Sequence, residues 1–168
     1  MKLRMDIIAL TLAVSLGACG SESGDEKNAE TSALSASQIA GFRQAATHGD
    51  VEAAYRLGLI YARGTGVAQD FTEAYGWLHE AAMQGYPKAQ YFLGEMYVKG
   101  DGVAVDYVEA LTWFWVATSL GDKYAQKRMR AMTTRISTKQ LDEAKRKVDE
   151  LWKNMPRDYM VIGKGAMH

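Results

Sequence analysis

The sequence has 168 residues, of which 48% are hydrophobic and 24% charged, and its 20 basic side chains balance its 20 acidic ones. The even balance argues against nucleic acid as a partner, because neutralising phosphates requires a basic surface. A single cysteine excludes an intramolecular disulfide and a structural zinc site built on paired thiolates. The length suits one ordinary folded domain.

The N-terminal segment predicts export. Lys2 and Arg4 precede an apolar run over residues 7–16, which is about as long as a secretory signal core and too short to span a bilayer as a helix. The residues from Leu16 to Cys19 then resemble the lipobox of bacterial lipoproteins. That resemblance implies that the signal, residues 1–18, is cut before Cys19, and that Cys19 carries diacylglycerol and an N-acyl chain. We expect an exported, lipid-anchored protein, and Gly20 favours the outer membrane, facing the periplasm.

Residues 19–36 predict a tether between Cys19 and the folded part. The segment is polar, rich in small residues and free of aromatic side chains, so it cannot bury enough apolar surface to fold. A flexible coil of this length spans roughly 20–25 Å.

The remainder repeats itself at an offset of 36 residues. Identical residues recur in both units at the Tyr55/Tyr91, Gly58/Gly94, Asp70/Asp106 and Trp77/Trp113 pairs, among others. Dense identity at one fixed offset indicates a solenoid of stacked units.

Glycines and aspartates divide each unit into two helices. Helix A carries Leu57 and Tyr61 at helical spacing and should stop at Gly64, where glycine accepts a positive φ. Asp70, with Glu73 three residues on, predicts a capping box at the start of helix B. The small residues Gly58 and Gly94 predict a close approach of the paired helices.

This pattern resembles the Sel-1-like repeat family, whose units carry Leu-Gly, Gly-x-Gly-Val, Asp, Trp and Ala-Ala elements at these spacings. The resemblance implies an all-α fold, a right-handed α-solenoid of antiparallel helix pairs with about seven helices. The expected domain covers residues 37–153: an N-terminal capping helix (37–48), two repeats (49–84 and 85–120) and a degenerate C-terminal repeat (121–153). Ser137 and Gln140 should cap a last helix with a polar outer face that includes Lys147, before a frayed tail over 154–168.

The chain offers little for catalysis. The histidines, His48, His79 and His168, share no spacing that would bind a metal, and His79 is expected on a solvated helix face. No nucleophile elbow or phosphate-binding lysine accompanies the glycine loops. We therefore expect no catalytic residue, no metal and no cofactor apart from the lipid on Cys19.

A binding surface is predicted from the related tetratricopeptide helix pairs, in which helix A lines a concave face. The resemblance carries this role to a set that we call the helix-A stripe: Glu52, Tyr55, Leu59, Ala62, Arg63, Lys88, Tyr91, Glu95, Val98, Lys99, Tyr124, Lys127, Ala131, Thr134 and Arg135. Its aromatic and basic character favours an extended or helical partner segment that bears carboxylates. The alternative surface is formed by helix-B aromatics such as Phe114 or Trp115, expected to be exposed.

The sequence thus favours a monomeric, membrane-anchored scaffold or adaptor that binds an envelope protein or peptide. The alternatives are a cell-wall hydrolase or a β-lactam- or peptidoglycan-binding protein, and a constitutive structural or inhibitory subunit of an envelope complex. The β-lactam-binding relatives of the family carry a cysteine pair in each repeat, which this chain lacks.

Overall fold

A computed structural model describes residues 34–156 of the chain. The predicted signal, the lipobox and most of the tether lie outside these residues, as does the end of the predicted tail. The described part forms seven α-helices and no strand, which confirms the all-α solenoid class. In chain order they are α1 (Ala36–Thr47), α2 (Val51–Arg63), α3 (Phe71–Met83), α4 (Pro87–Lys99), α5 (Tyr107–Ser119), α6 (Lys123–Thr133) and α7 (Thr138–Asn154). No helix within residues 34–156 combines the length and the hydropathy that a transmembrane span requires.

Side-chain caps explain where most helices begin. The Asp50 carboxylate accepts the Ala53 N–H at the start of α2, and Asp122 accepts the Ala125 N–H at the start of α6. Such caps satisfy backbone donors that have no partner within the helix. Ser137 and Gln140 form the predicted capping box on α7. Ser35 caps α1, so the last residues of the predicted 19–36 tether belong to the first helix.

The capping box predicted at Asp70 is half correct. The Asp70 carboxylate accepts the N–H groups of Thr72 and Glu73, but Glu73 does not reach back. The backbone N–H of Asp70 instead donates to the Tyr61 carbonyl of α2, at 2.9 Å. The Glu73 carboxylate is left to accept the indole N–H of Trp77 at 3.2 Å.

Consecutive helices pack against one another from α1 to α6, and the pairs α2/α3 and α4/α5 form the most extensive contacts. Leu57, Leu78 and Leu93 are fully buried between them. Two Gly-x-Gly loops join α2 to α3 and α4 to α5. They place Gly64 and Gly100 in the left-handed region, at φ 69° and 80°. These glycines end α2 and α4 where an L-side chain would be strained.

The third unit departs from the repeat. Helix α7 packs mainly on α5, and the Lys147 ammonium donates to the Glu109 carboxylate of α5 at 2.6 Å. Lys147 therefore does not belong to the outer polar face on which the sequence placed it. The frayed tail was also predicted too early, because Asn154 is helical and Met155 is buried in the main core.

Candidate functional site

The helix-A stripe is drawn from α2, α4 and α6, with Thr134 and Arg135 just beyond the end of α6, and none of its side chains is fully buried. Tyr55, Leu59, Ala62, Tyr91, Glu95 and Val98 are partly buried, whereas Glu52, Arg63, Lys88, Lys99, Tyr124, Lys127, Ala131, Thr134 and Arg135 are exposed. All fifteen positions therefore present some surface to solvent, as a binding role requires.

Aromatic rings link the three helices of the stripe. The ring centroids of Tyr91 and Tyr124 lie 6.3 Å apart, which joins α4 to α6. Phe92 lies 5.5 Å from Tyr91 and 6.0 Å from Tyr55, which extends the contact to α2. Tyr86 closes the line at 4.9 Å from Tyr55. We call these five residues the ring line, and its separations are those of favourable aromatic pairs.

The ring line becomes more exposed toward α6. Tyr124 is 74% exposed, the highest value among the large apolar side chains of residues 34–156, whereas Tyr55 and Tyr91 are partly covered. Burial, with the neighbouring Tyr86, raises the pKa of Tyr55, and burial with the nearby Glu95 carboxylate raises that of Tyr91. Both phenols therefore stay neutral at physiological pH and can donate hydrogen bonds.

Charge on the stripe is more one-sided than the sequence indicated. The Glu95 carboxylate accepts from Arg128 at 2.5 and 3.2 Å, and Glu52 accepts from Arg56 at 2.6 Å. Both acids of the stripe are thus neutralised by the protein itself. The five cations of the stripe form no ion pair with any side chain of residues 34–156: Arg63, Lys88, Lys99, Lys127 and Arg135.

Three residues of this surface were missed by sequence reasoning: Tyr86, Phe92 and Arg128. Arg128 pairs with Glu95 and lies over the Phe114 ring, with its guanidinium carbon 5.8 Å from the centroid. The two partners are 33 residues apart along the chain, with Glu95 on α4 and Arg128 on α6. The pairing depends on how α4 and α6 are rotated relative to each other, which the repeat pattern does not encode.

The alternative surface on helix B was predicted incorrectly. Phe114 is completely buried against α4, and Trp115 is partly buried in the main core. Phe114 occupies the position that Leu78 has in the first repeat, so its ring fills the seam between paired helices. It is therefore unavailable to a partner.

His79 also differs from its expected setting on a solvated face. Its imidazole stacks on Tyr75 at 5.6 Å and meets Trp113 edge-on at 5.8 Å. Burial among these rings lowers the pKa of His79, opposed by the Glu109 carboxylate. Within residues 34–156 no three His, Cys, Asp or Glu side chains are grouped so as to hold a metal ion.

Comparison with known proteins fits the repeat. The Sel1 repeat model matches residues 51–86 and 87–122. A solved Sel1 repeat protein from Oxalobacter formigenes is 43% identical over 55% of this chain and 70% of its own, with a TM-score of 0.54. No curated protein matches the sequence.

A second solved structure covers more of the chain. It is a protective antigen present in uropathogenic Escherichia coli strains and displays an SLR fold. It is 29% identical over 77% of this chain, with a TM-score of 0.71, and this chain spans only 28% of its length. The repeat match, the identity to the Oxalobacter protein and the shared fold together show that this chain belongs to the Sel1-repeat family.

Proposed function

We propose that this protein is a lipid-anchored adaptor of the bacterial cell envelope that binds an acidic segment of a protein partner along the helix-A stripe. Sel1-repeat folds commonly serve as protein-interaction scaffolds and are typically non-catalytic. To that general role the proposal adds a lipid anchor, a periplasmic location and a binding surface.

The observation that carries the proposal is the ring line beside unpaired cations. Tyrosine offers a large amphipathic contact area at low entropic cost, because its side chain has few rotatable bonds. Three of the five rings belong to the predicted stripe. Lys88 lies on α4 with Tyr91, and Lys127 lies on α6 with Tyr124. A partner with carboxylates near apolar or aromatic groups satisfies both features of this surface.

The anchor is supported by the sequence alone. Lys2 and Arg4, the apolar run over 7–16 and the lipobox-like residues from Leu16 to Cys19 occur in the order that lipoprotein processing requires. Two or three acyl chains on Cys19 make attachment effectively permanent, since each buried methylene contributes ~0.8 kcal/mol.

A matched pair of charge reversals tests the binding surface. Lys88→Glu with Lys99→Glu reverses two stripe cations on α4, and Arg146→Glu with Lys153→Glu makes the same change in net charge on α7. Chemical crosslinking in cells, followed by mass spectrometry of co-purified proteins, reports what each variant captures. We expect the α4 variant to lose its partner while its melting temperature is unchanged, and the α7 variant to retain it.

Two results would contradict the proposal. Equal capture by the two variants would place the binding surface elsewhere on the protein. Turnover of muropeptides or nitrocefin by the purified chain, abolished by one side-chain change, would instead favour the cell-wall hydrolase.

A further inference from the structure

The third unit lacks the loop with which each earlier unit covers the start of the preceding helix B. In the second unit that loop packs tightly, because a Cβ added to Gly102 would lie 2.5 Å from the Phe71 carbonyl oxygen at the start of α3. The caps Asp50 and Asp70 are 20 residues apart, whereas Asp122 and Ser137 are 15 apart. The shortened connection leaves no equivalent loop to cover the start of α5.

The consequence is exposed apolar surface at that place. Tyr107, the counterpart of Phe71, is 50% exposed, and Val105 beside it is 52% exposed. Phe71 in the earlier unit is partly buried. Beside Tyr107 lies a cavity of about 390 Å³ that is lined by residues of α4, α5, α6 and the connection between α6 and α7. Its walls include Val98, Tyr107, Arg128, Met132, Arg135 and Ile136.

The cavity combines apolar walls with guanidinium groups, and no carboxylate lines it among residues 34–156. Arg128 is already bound to Glu95 across two oxygens, which fixes its position. Arg135 forms no ion pair with the residues described. A guanidinium has five N–H donors in a planar fork and binds a carboxylate through two parallel hydrogen bonds. Among the described residues that line the cavity, Arg135 is therefore a cation without an ionic partner at the edge of an apolar wall.

We infer that this cavity is a specificity pocket for a bulky apolar side chain followed by a carboxylate in the partner segment. The apolar side chain packs against Val98, Met132 and Ile136, and the carboxylate pairs with Arg135. The inference rests on the proposed function, because Val98 and Arg135 belong to the helix-A stripe. It narrows the partner from an acidic segment to one with an apolar–acidic pair at a fixed end of the solenoid.

Methionine-methyl NMR of the purified full chain tests the pocket directly, since Met132 lines it, whereas Met96 is buried in the main core and does not line it. The probe is the peptide Gly-Ser-Phe-Glu-Ser-Gly, blocked at both ends, and its control carries Gln in place of Glu. We expect the Met132 signal to shift while Met96 stays, and the Gln peptide to bind about tenfold more weakly. Arg135→Gln should produce the same loss, whereas Arg130→Gln, on the exposed surface of α6, should not.

Several results would overturn the inference. Equal shifts with both peptides would show that the pocket does not recognise the carboxylate. No shift with either peptide would show that the pocket does not bind an apolar–acidic segment. A Met132 shift that follows protein concentration without peptide would assign the pocket to a second copy of the chain, and one that follows deletion of residues 157–168 would assign it to the chain's own end. If the peptide does not bind the pocket but capture in cells still depends on Lys88 and Lys99, the proposed function stands without the pocket.

Discussion

A Cβ on Gly94 would lie 2.5 Å from Cε1 of Phe114, well inside the distance at which two carbon atoms can pack. Gly58 and Leu78 have the same relationship one repeat earlier, also at 2.5 Å. The two glycines let helices A and B approach until the larger side chain of helix B covers the backbone of helix A. This close contact is the repeated unit of the fold.

Gly94→Leu should therefore destabilise the protein by ~1–3 kcal/mol, because the added side chain overpacks a filled seam. Gly76→Ala is the matched control, since a Cβ at Gly76 in α3 meets no atom within 4 Å. Its better helix propensity should stabilise the protein by up to about 1 kcal/mol. Chemical denaturation measures both, and equal effects from the two substitutions would show that the seam is placed wrongly.

Stability should fall on acidification through His79. Burial lowers the pKa of His79, so the unfolded chain binds a proton that the folded chain rejects. This contribution to stability is complete above the ordinary histidine pKa of about 6.5 and is lost as pH falls below it. Denaturation at pH 7.5 and pH 5.5 should show a smaller pH-dependent loss for His79→Gln than for the parent. If His48→Gln reduced the pH-dependent loss of stability instead, the effect would belong to His48 and the assignment to His79 would be wrong.

The ion pair between Lys147 and Glu109 should help to hold α7 on α5. Lys147→Met leaves the Glu109 carboxylate partly buried without its partner, at a cost of about 1 kcal/mol or less, since both side chains retain some exposure. Lys145→Met breaks an exposed pair with Asp142 inside α7 and should cost close to nothing. Denaturant midpoints for the two variants give the comparison, and a larger loss for Lys145→Met would contradict the packing of α7.

Much of the fold was predictable because it depends on short-range signals that the repeat displays twice. Positive-φ glycines at Gly64 and Gly100 and capping aspartates at Asp70 and Asp106 act within one or two turns of the chain. Gly64 and Asp70 both recur 36 positions later, as Gly100 and Asp106, so the ends of helix A and the starts of helix B in the first two repeats can be found from the offset. The shape of the helix pair follows from these boundaries.

The candidate site was less predictable because it depends on contacts between helices that the pattern does not encode. The stripe was carried over by register, yet the pairing of Glu95 with Arg128 needs the relative rotation of α4 and α6. His79 was misjudged because its neighbours Tyr75 and Trp113 lie on two helices. The burial of Met155 likewise depends on where α7 docks, after the repeat has degenerated.

The lipid anchor has its own test. Cys19→Ala removes the acceptor for the lipid, so we expect the protein to leave the membrane fraction and to appear soluble in the periplasm. Ser21→Ala, two residues further along the chain, is the control and should remain with the membrane. Membrane fractionation followed by immunoblotting reads out both variants, and persistence of Cys19→Ala in the membrane would contradict the anchor.

A partner bound along the helix-A stripe should contact the exposed end of the ring line. A photo-crosslinking phenylalanine analogue placed at Tyr124, which is 74% exposed, tests this contact in living cells. The same analogue at Lys153, exposed on α7, is the control. We expect one discrete crosslinked envelope protein from Tyr124 and none from Lys153. The same product from both positions, or no product from Tyr124, would contradict that contact.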